Sequence, residues 1–376
     1  MTRVDRRKAT ASEFRRLFLR LTGRLKRSAD RGEGGDADLR LDFADVNAAR
    51  IGASPPSEAL TRSPLPAGDP RFIPREDIRA AIEHSHAAWR EGRPTLIALT
   101  GPSGCGLTSI LNQTPSWLPA DTLVARIDLS KRPDTSADAL ALAAGAFEAP
   151  PPFDTVDSAA NQINALAPRV ILIDNGHLLY SRLMGGSEGG RALHGLMIAT
   201  QGKHLWLLAC ETQAWRRQCD TAGAHRYFDI TIEADYFSRV ELASLLSTRT
   251  PDGSPSFDDA AIDALHRVSR GHPGLALFIA ACIRRADTPT LPAPFDESPL
   301  WALERTELLT LAEISAHGML SANELQSIFR RDPTSTSILL HHLRQSGLIV
   351  GSTGNQLQPL LAPMINAHLV RANYLY

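Results

Sequence analysis

Hydrophobic and polar positions change their period several times along the chain. After Pro74 a helical spacing of apolar residues over Glu76 to Glu91 gives way to a short apolar run at Thr95 to Thr100, which reads as a strand, and a further helix is predicted from Leu107. Strand signals recur at Leu123 to Leu129, Val170 to Asp174, Leu205 to Ala209 and Phe228 to Ile232. Helical patterns lie between them at Ser136 to Phe147, Thr155 to Leu166 and Arg191 to Thr200. Such alternation predicts an α/β fold, a parallel sheet with helices on both faces.

Beyond Phe237 the strand signals stop. Helices are predicted over Ser238 to Ser247, Asp258 to Arg270 and Pro273 to Arg285, followed by a Pro/Thr-rich linker at residues 287–299. The last segment has a helix Leu300 to His317, a capping box at Ser321 and Glu324, and a helix Thr336 to Gln345 closed by Gly347. Leu348 to Val350 and Gln356 to Leu360 then flank Gly351-Ser352-Thr353-Gly354, a hairpin signature. Three helices and a hairpin predict a winged helix.

The N-terminal region differs from all of this. Phe14, Leu17, Phe18, Leu21 and Leu25 form an apolar stripe among arginines, and residues 1–27 carry ten Lys or Arg against two acids. A basic amphipathic helix with this pattern suits an anionic surface such as DNA or a membrane, a partner groove, or simple packing on the body of the protein. A Gly/Asp-rich stretch and a Pro/Ser-rich stretch then link it to the remainder. The expected organisation is therefore residues 1–70 as helix and linker, 71–236 as the α/β core, 237–286 as a helical lid, 287–299 as a linker and 300–376 as the winged helix.

Composition narrows the class without changing it. With 43 % hydrophobic and 22 % charged residues the chain has the balance of a globular protein, and its net charge is −1. The longest apolar runs fall short of the roughly 18 residues that span a bilayer. Four cysteines without CxxC spacing, and an N-terminus without an apolar signal region, point to a reduced, cytoplasmic protein with neither a disulfide framework nor a structural zinc site.

The chemistry concentrates in Gly101-Pro102-Ser103-Gly104-Cys105-Gly106-Leu107-Thr108-Ser109, which leaves a predicted strand and opens a predicted helix. Backbone N–H groups there can cradle phosphate oxygens, and the helix N-terminus favours negative charge. The pattern G-x-x-x-x-G-K-[ST] requires Lys where Leu107 stands, so the charge that reaches the β- and γ-phosphates is missing. Thr108 keeps the hydroxyl that would ligate Mg²⁺, with Ser109 beside it. Asp174, at the end of the strand Val170 to Asp174, could hold Mg²⁺ through water. Asn175 stands where a glutamate usually activates the attacking water; it can orient a water but cannot accept its proton.

These motifs resemble the P-loop AAA+/STAND ATPases, especially the origin-recognition, transposition-helper and NB-ARC-like branch that joins the ATPase core to a winged helix. Phe72-Ile73-Pro74-Arg75-Glu76 is similar to the F-x-G-R-E box near the adenine, with Pro74 replacing its glycine. Arg226 stands where such proteins extend an arginine to a neighbour's γ-phosphate, and it reads equally as a solvated turn arginine. Gly271-His272-Pro273-Gly274 is similar to the G-x-P box, whose proline would touch nucleotide; alone, Pro273 reads as a helix-start proline. Gly274 occupies the place of a sensor arginine.

The resemblance implies an ATP or ADP site with Mg²⁺, built from Gly101, Ser103, Gly104, Cys105, Gly106, Leu107, Thr108, Ser109 and Pro273, with Thr108 and Asp174 toward the metal. Asn175 and Arg226 are the catalytic candidates. The expected function is that of a pseudo-ATPase, a nucleotide-binding regulatory or scaffolding subunit that engages a protein partner or a second copy. DNA is expected as a secondary partner, through the winged helix or the N-terminal helix, since Arg330, Arg331 and Arg344 make the recognition surface only mildly basic. The alternatives are an active ATPase working on DNA, with Lys131 or Arg75 as surrogate cation, and a switch locked by ADP.

Overall fold

The computed structural model describes residues 63–148, 153–183, 186–249, 256–285, 291–351 and 354–375, together with Phe43 and Val46. The basic amphipathic helix expected in the N-terminal tail lies outside the described residues. The described chain divides into two compact units, one formed by 63–237 with 298–376 and the other by 238–297.

In the larger unit, helix α1 (Glu76–Arg90) precedes strand β1 (Leu96–Gly101), whose six residues are all buried, and α2 (Leu107–Trp117). Strand β2 (Val124–Asp128), α3 (Ser136–Phe147), α4 (Val156–Asn164) and β3 (Val170–Asp174) follow. After them come α5 (Glu188–Thr200), β4 (Leu205–Glu211), α6 (Thr212–Ala222) and β5 (Ile230–Glu233). The five strands are all parallel in the order β2-β3-β4-β1-β5, which places β1 inside the sheet and β2 at an edge.

Two apolar layers follow from the strand period of two. Leu96, Ala98, Ile171, Ile173, Trp206 and Leu208 face α3, α4 and α5, whereas Ile97, Leu99, Val170, Leu172, Leu205 and Leu207 face α1 and α2. The expected strand boundaries move slightly: β4 runs on to Glu211, and the last strand begins at Ile230 rather than Phe228. Helix α6 was not anticipated, because its buried residues Ala214, Trp215 and Gln218 mix with a strongly polar remainder.

The smaller unit contains α7 (Arg239–Thr248), α8 (Asp259–Ser269) and α9 (Pro273–Arg285). Ser238 and Glu241 form a capping box on α7, and Asp258 Oδ1 accepts the Ala261 N–H to start α8.

Residues 298–376 return to the larger unit. A short helix α10 (Ser298–Trp301) precedes α11 (Arg305–His317), so the single helix expected from Leu300 is broken. Glu304 is extended (φ −74, ψ 159), and Glu307 Oε2 accepts its N–H at 2.8 Å, which restarts the helix. Helices α12 (Ala322–Phe329) and α13 (Pro333–Gln345), the antiparallel pair β6 (Ile349–Val350) and β7 (Gln356–Leu357), and α14 (Ala362–Arg371) complete the chain. The Ser321/Glu324 capping box forms as its sequence suggests. A further antiparallel bridge between Leu320 and Asn355 extends the β6/β7 ribbon.

Candidate functional site

The carboxyl ends of β1, β3 and β4 share one edge of the sheet, the edge at which open α/β sheets place ligands. From β1 the chain turns through residues 101–106 into α2. Gly104 (φ 80) and Gly106 (φ 104, ψ 23) take left-handed backbone that an L side chain strains to adopt. Gly101 is needed for a different reason: a Cβ there would stand 2.5 Å from both the Ala234 carbonyl oxygen and Cys105 Sγ. A glycine turn leaves an internal, fully buried parallel strand and delivers the chain into a helix N-terminus. The larger unit has a P-loop fold.

The P-loop is held both from outside and from within its own sequence. Tyr236 Oη donates to the Ser103 carbonyl at 3.0 Å, and Cys105 N–H donates to the Pro102 carbonyl at 3.1 Å. Cys105 lies inside the loop, where burial pushes its thiol up to about 12; it is an uncharged packing group, not a nucleophile. Leu107 turns toward the apolar layer around Ile78, Ile110 and Leu111, and its Cδ2 comes within 3.2 Å of the position a Cβ would take on Gly101. The side chain standing in for lysine thus fills space under the loop rather than offering charge above it.

Ser109 has a partner that the sequence did not suggest. Its Oγ accepts the Leu65 N–H at 3.0 Å, while Asn112 Nδ2 donates to the Leu65 carbonyl at 2.6 Å and Gln113 bonds both Gly68 N–H and the Pro66 carbonyl. Residues 65–68 therefore form a strap along α2, fastened by side chains spaced i, i+3, i+4 on one helix face. Arg75 is buried, with Nη1 donating to the Asp235 carbonyl at 3.1 Å and its guanidinium over the Phe237 ring. Lys131, the other proposed surrogate cation, is exposed.

At the end of β3 both oxygens of Asp174 are engaged. Oδ2 accepts from Arg126 Nη2 at 3.1 Å and Oδ1 accepts the Asn175 N–H at 2.8 Å. Asn175 is left-handed (φ 59, ψ 39), and its Nδ2 donates to the Leu129 carbonyl at 3.0 Å, so the amide is turned toward the end of β2. Sequence reasoning missed Arg126; the available signal was a charge in the middle of the short strand Val124 to Asp128, two residues before the acid that ends it.

Glu211 ends β4 beside the P-loop, since it registers with Gly101. Together with Ser103, Asn175 and His177 it lines a cavity of about 310 Å³ whose opposite wall comes from residues 298–376, including Gln356 and Asn366. Burial lowers the pKa of His177, opposed by the Glu211 and Asp174 carboxylates. Two ion-pair groups tie residues 298–376 to the rest of this unit: Arg132 with Glu324, and Arg182 and Arg217 with Glu313. His317 Nε2 also accepts the Arg182 N–H at 3.2 Å.

Two candidates remain. Arg226 is exposed in a short 3₁₀ turn leading into β5, at the amino-terminal edge of the sheet and so opposite its own P-loop. Pro273 starts α9 in the other unit, where the buried His272 accepts the Leu275 N–H on Nδ1 at 3.0 Å and caps the helix.

Mg²⁺ is implied by the P-loop, but the donors present suit it poorly. Thr108 supplies one hydroxyl, Asp174 is already paired with a cation, and among the described residues no group of three His, Cys, Asp or Glu side chains converges as a metal site.

No family model matches the chain, and no curated protein matches it. Solved structures do. The Aeropyrum pernix ORC1 protein in complex with DNA is similar at 14 % identity over 81 % of this chain and 94 % of that one, with a TM-score of 0.45. The Aeropyrum pernix ORC2 protein, in ADPNP–ADP complexes, is 14 % identical over 85 % of this chain and 99 % of that one, with a TM-score of 0.43. The Thermotoga maritima RuvB Holliday junction branch migration motor is 17 % identical over 78 % and 95 %, with a TM-score of 0.39. These likenesses identify neither a ligand nor a partner of this chain.

Proposed function

We propose that the chain is a nucleotide-binding P-loop protein of the AAA+/STAND kind that has lost productive ATP hydrolysis and works as a regulatory or scaffolding subunit. The observation that carries this reading is the P-loop itself: a glycine turn with two left-handed residues, leaving an internal strand and entering α2, in which the lysine position is occupied by the inward-packed Leu107. Backbone N–H groups suffice to bind phosphate weakly. Without the lysine, the site loses a charge-assisted contact worth about 1.5–3 kcal/mol.

Hydrolysis needs more than binding. A group must take or orient the proton of the attacking water, and Asn175 can neither accept it nor turn freely, since its amide bonds the Leu129 carbonyl. Gly101, Ser103, Gly104, Cys105, Gly106 and Thr108 would contact nucleotide through backbone and hydroxyl groups, with Ser109 holding the strap. Residues 237–286 would serve as the lid presenting Pro273, and Arg226 would act on a second copy rather than on its own site.

Docking of residues 298–376 favours a second reading, a switch held closed. In the larger unit this segment covers the carboxyl edge of the sheet through Glu313 and Glu324, beside the P-loop residue Ser103. The outer face of α13 is already exposed, and it is the surface that would be offered to a protein partner or to DNA. Arg344 already donates to the Gly351 carbonyl and to Asn355 Oδ1, and Arg331 stacks on Phe329, which leaves that face modestly basic for a DNA reader. Nucleotide released from the purified protein by denaturation, followed by a phosphate-release assay, tests the lead reading: bound ADP or ATP with no phosphate release supports it, and absence of any nucleotide binding overturns it.

A further inference from the structure

We propose that this P-loop binds nucleotide without a divalent cation, because Arg126 has taken the place at Asp174 that the ion would need. The proposal rests on the nucleotide-binding reading above.

Arg126 lies in the edge strand β2, two residues before Asp128, and the β2/β3 register sets Arg126 beside Leu172 and Asp128 beside Asp174. The strand period of two therefore puts Arg126, Asp128 and Asp174 on the sheet face that packs α2. All three guanidinium nitrogens are used there. Nη2 is 3.1 Å from Asp174 Oδ2, Nε is 2.6 Å from Asp128 Oδ1, and Nη1 donates to Asn112 Oδ1. Asn112 is itself fixed on its other side, donating to the Leu65 carbonyl of the strap. A planar fork held by a strand, a helix and a strap has little freedom to withdraw.

Asp174 is correspondingly closed to a metal. Its side chain is only 6 % exposed, one oxygen faces the guanidinium and the other takes its neighbour's main-chain N–H. A hydrated Mg²⁺ needs carboxylate lone pairs to accept its water protons, and here each oxygen already accepts one hydrogen bond, which halves the sites left for them. A dication at this position would also stand beside a fixed positive charge with little water between them, so Coulomb repulsion replaces the usual attraction. Asp128 leaves the cluster with one net negative charge, but that carboxylate is 61 % exposed, where water screens it.

The test uses the full-length chain and two readouts. Binding of a fluorescent ADP analogue is titrated in excess EDTA and in excess Mg²⁺, and Mn²⁺ binding to the nucleotide-free protein is followed by electron paramagnetic resonance. For the wild type, nucleotide affinities in the two media should agree within about threefold, below half a decade of Kd, and Mn²⁺ should remain free. Arg126→Met should uncover Asp174, so that Mn²⁺ binds and Mg²⁺ tightens nucleotide binding about tenfold or more. Arg126→Lys, which keeps the charge but not the three-way fork, should still exclude Mn²⁺, and Asp174→Asn added to Arg126→Met should abolish the gain. Stoichiometric Mn²⁺ binding by the wild type, a tenfold Mg²⁺ effect on its nucleotide affinity, or a folded Arg126→Met that gains neither would overturn the proposal. Failure to bind nucleotide in either medium would sink the nucleotide reading alone, because the Mn²⁺ titration still decides what Arg126 does.

Discussion

Gly318 and His177 touch so closely that a Cβ on the glycine would stand 2.5 Å from the imidazole Cδ2. Gly318 ends α11 with φ 70, and His177 belongs to the 3₁₀ turn Gly176–Leu179 that follows Asn175. The contact joins the C-terminal segment to the carboxyl edge of the sheet.

Gly318→Ala tests that junction. The methyl group meets a half-buried ring and the backbone leaves a conformation natural to glycine, so the docked arrangement should lose about 1–3 kcal/mol. Limited proteolysis should then cut near residues 291–304 faster than in wild type, with the α/β core intact. Glu313→Ala, which removes the carboxylate facing Arg182 and Arg217, should act in the same direction, and cleavage rates equal to wild type in both variants would contradict a closed arrangement held at this edge.

Leu107→Lys restores the phosphate-facing charge at the cost of some packing against Ile110 and Leu111. Its long side chain can keep its stem in the apolar layer and place the ammonium above the loop. Nucleotide should bind about ten- to a hundredfold more tightly by calorimetry. Steady-state phosphate release should stay near background, because Asn175 still cannot act as a base, and absent general-base assistance costs about 10²–10⁴ in rate. Turnover is expected first when Leu107→Lys is combined with Asn175→Glu.

Acid should destabilise the fold through buried neutral histidines. His204 is fully buried, with its ring nitrogen Nε2 bonded to the Ile163 carbonyl at 3.0 Å, and burial lowers its pKa to about 4; burial does the same to His194. In the unfolded chain both titrate near 6.5. The folded state thus binds fewer protons between these values. Their contribution is complete above about pH 6.5 and is lost as pH falls toward 4, at no more than roughly 1.4 kcal/mol per pH unit for each group. Denaturant unfolding at a series of pH values should show this slope, and His204→Gln should reduce it. A wild-type midpoint that does not move between about pH 7 and 5 would be contrary to this.

Much of the fold is legible in the sequence because its determinants are local. Strands β1 and β3 are buried along their whole length and read as unbroken apolar runs, and the glycines of the P-loop mark the turn between β1 and α2. The neutralisation of Asp174 is not legible, since Arg126 and Asn112 reach it only through the β2/β3 register and the packing of α2. Ser109 reads as a phosphate ligand until residues 65–68 are laid along its helix, 44 positions away from Leu65. The covering of the sheet edge is hidden for a related reason: Glu313 looks like a solvated helix residue, yet its side chain is 7 % exposed because arginines from two other elements meet it.

The central claim is that this P-loop holds nucleotide without hydrolysing it. A single-turnover experiment is the most direct measurement: full-length protein in excess over γ-labelled ATP, with Mg²⁺ present, followed by quench and separation of phosphate from bound nucleotide. The account predicts that the label remains in ATP, retained by the protein, with release of phosphate no faster than in buffer. Release of one equivalent of phosphate well above the buffer rate would show that Asn175 and Leu107 have not silenced the site, and would contradict it.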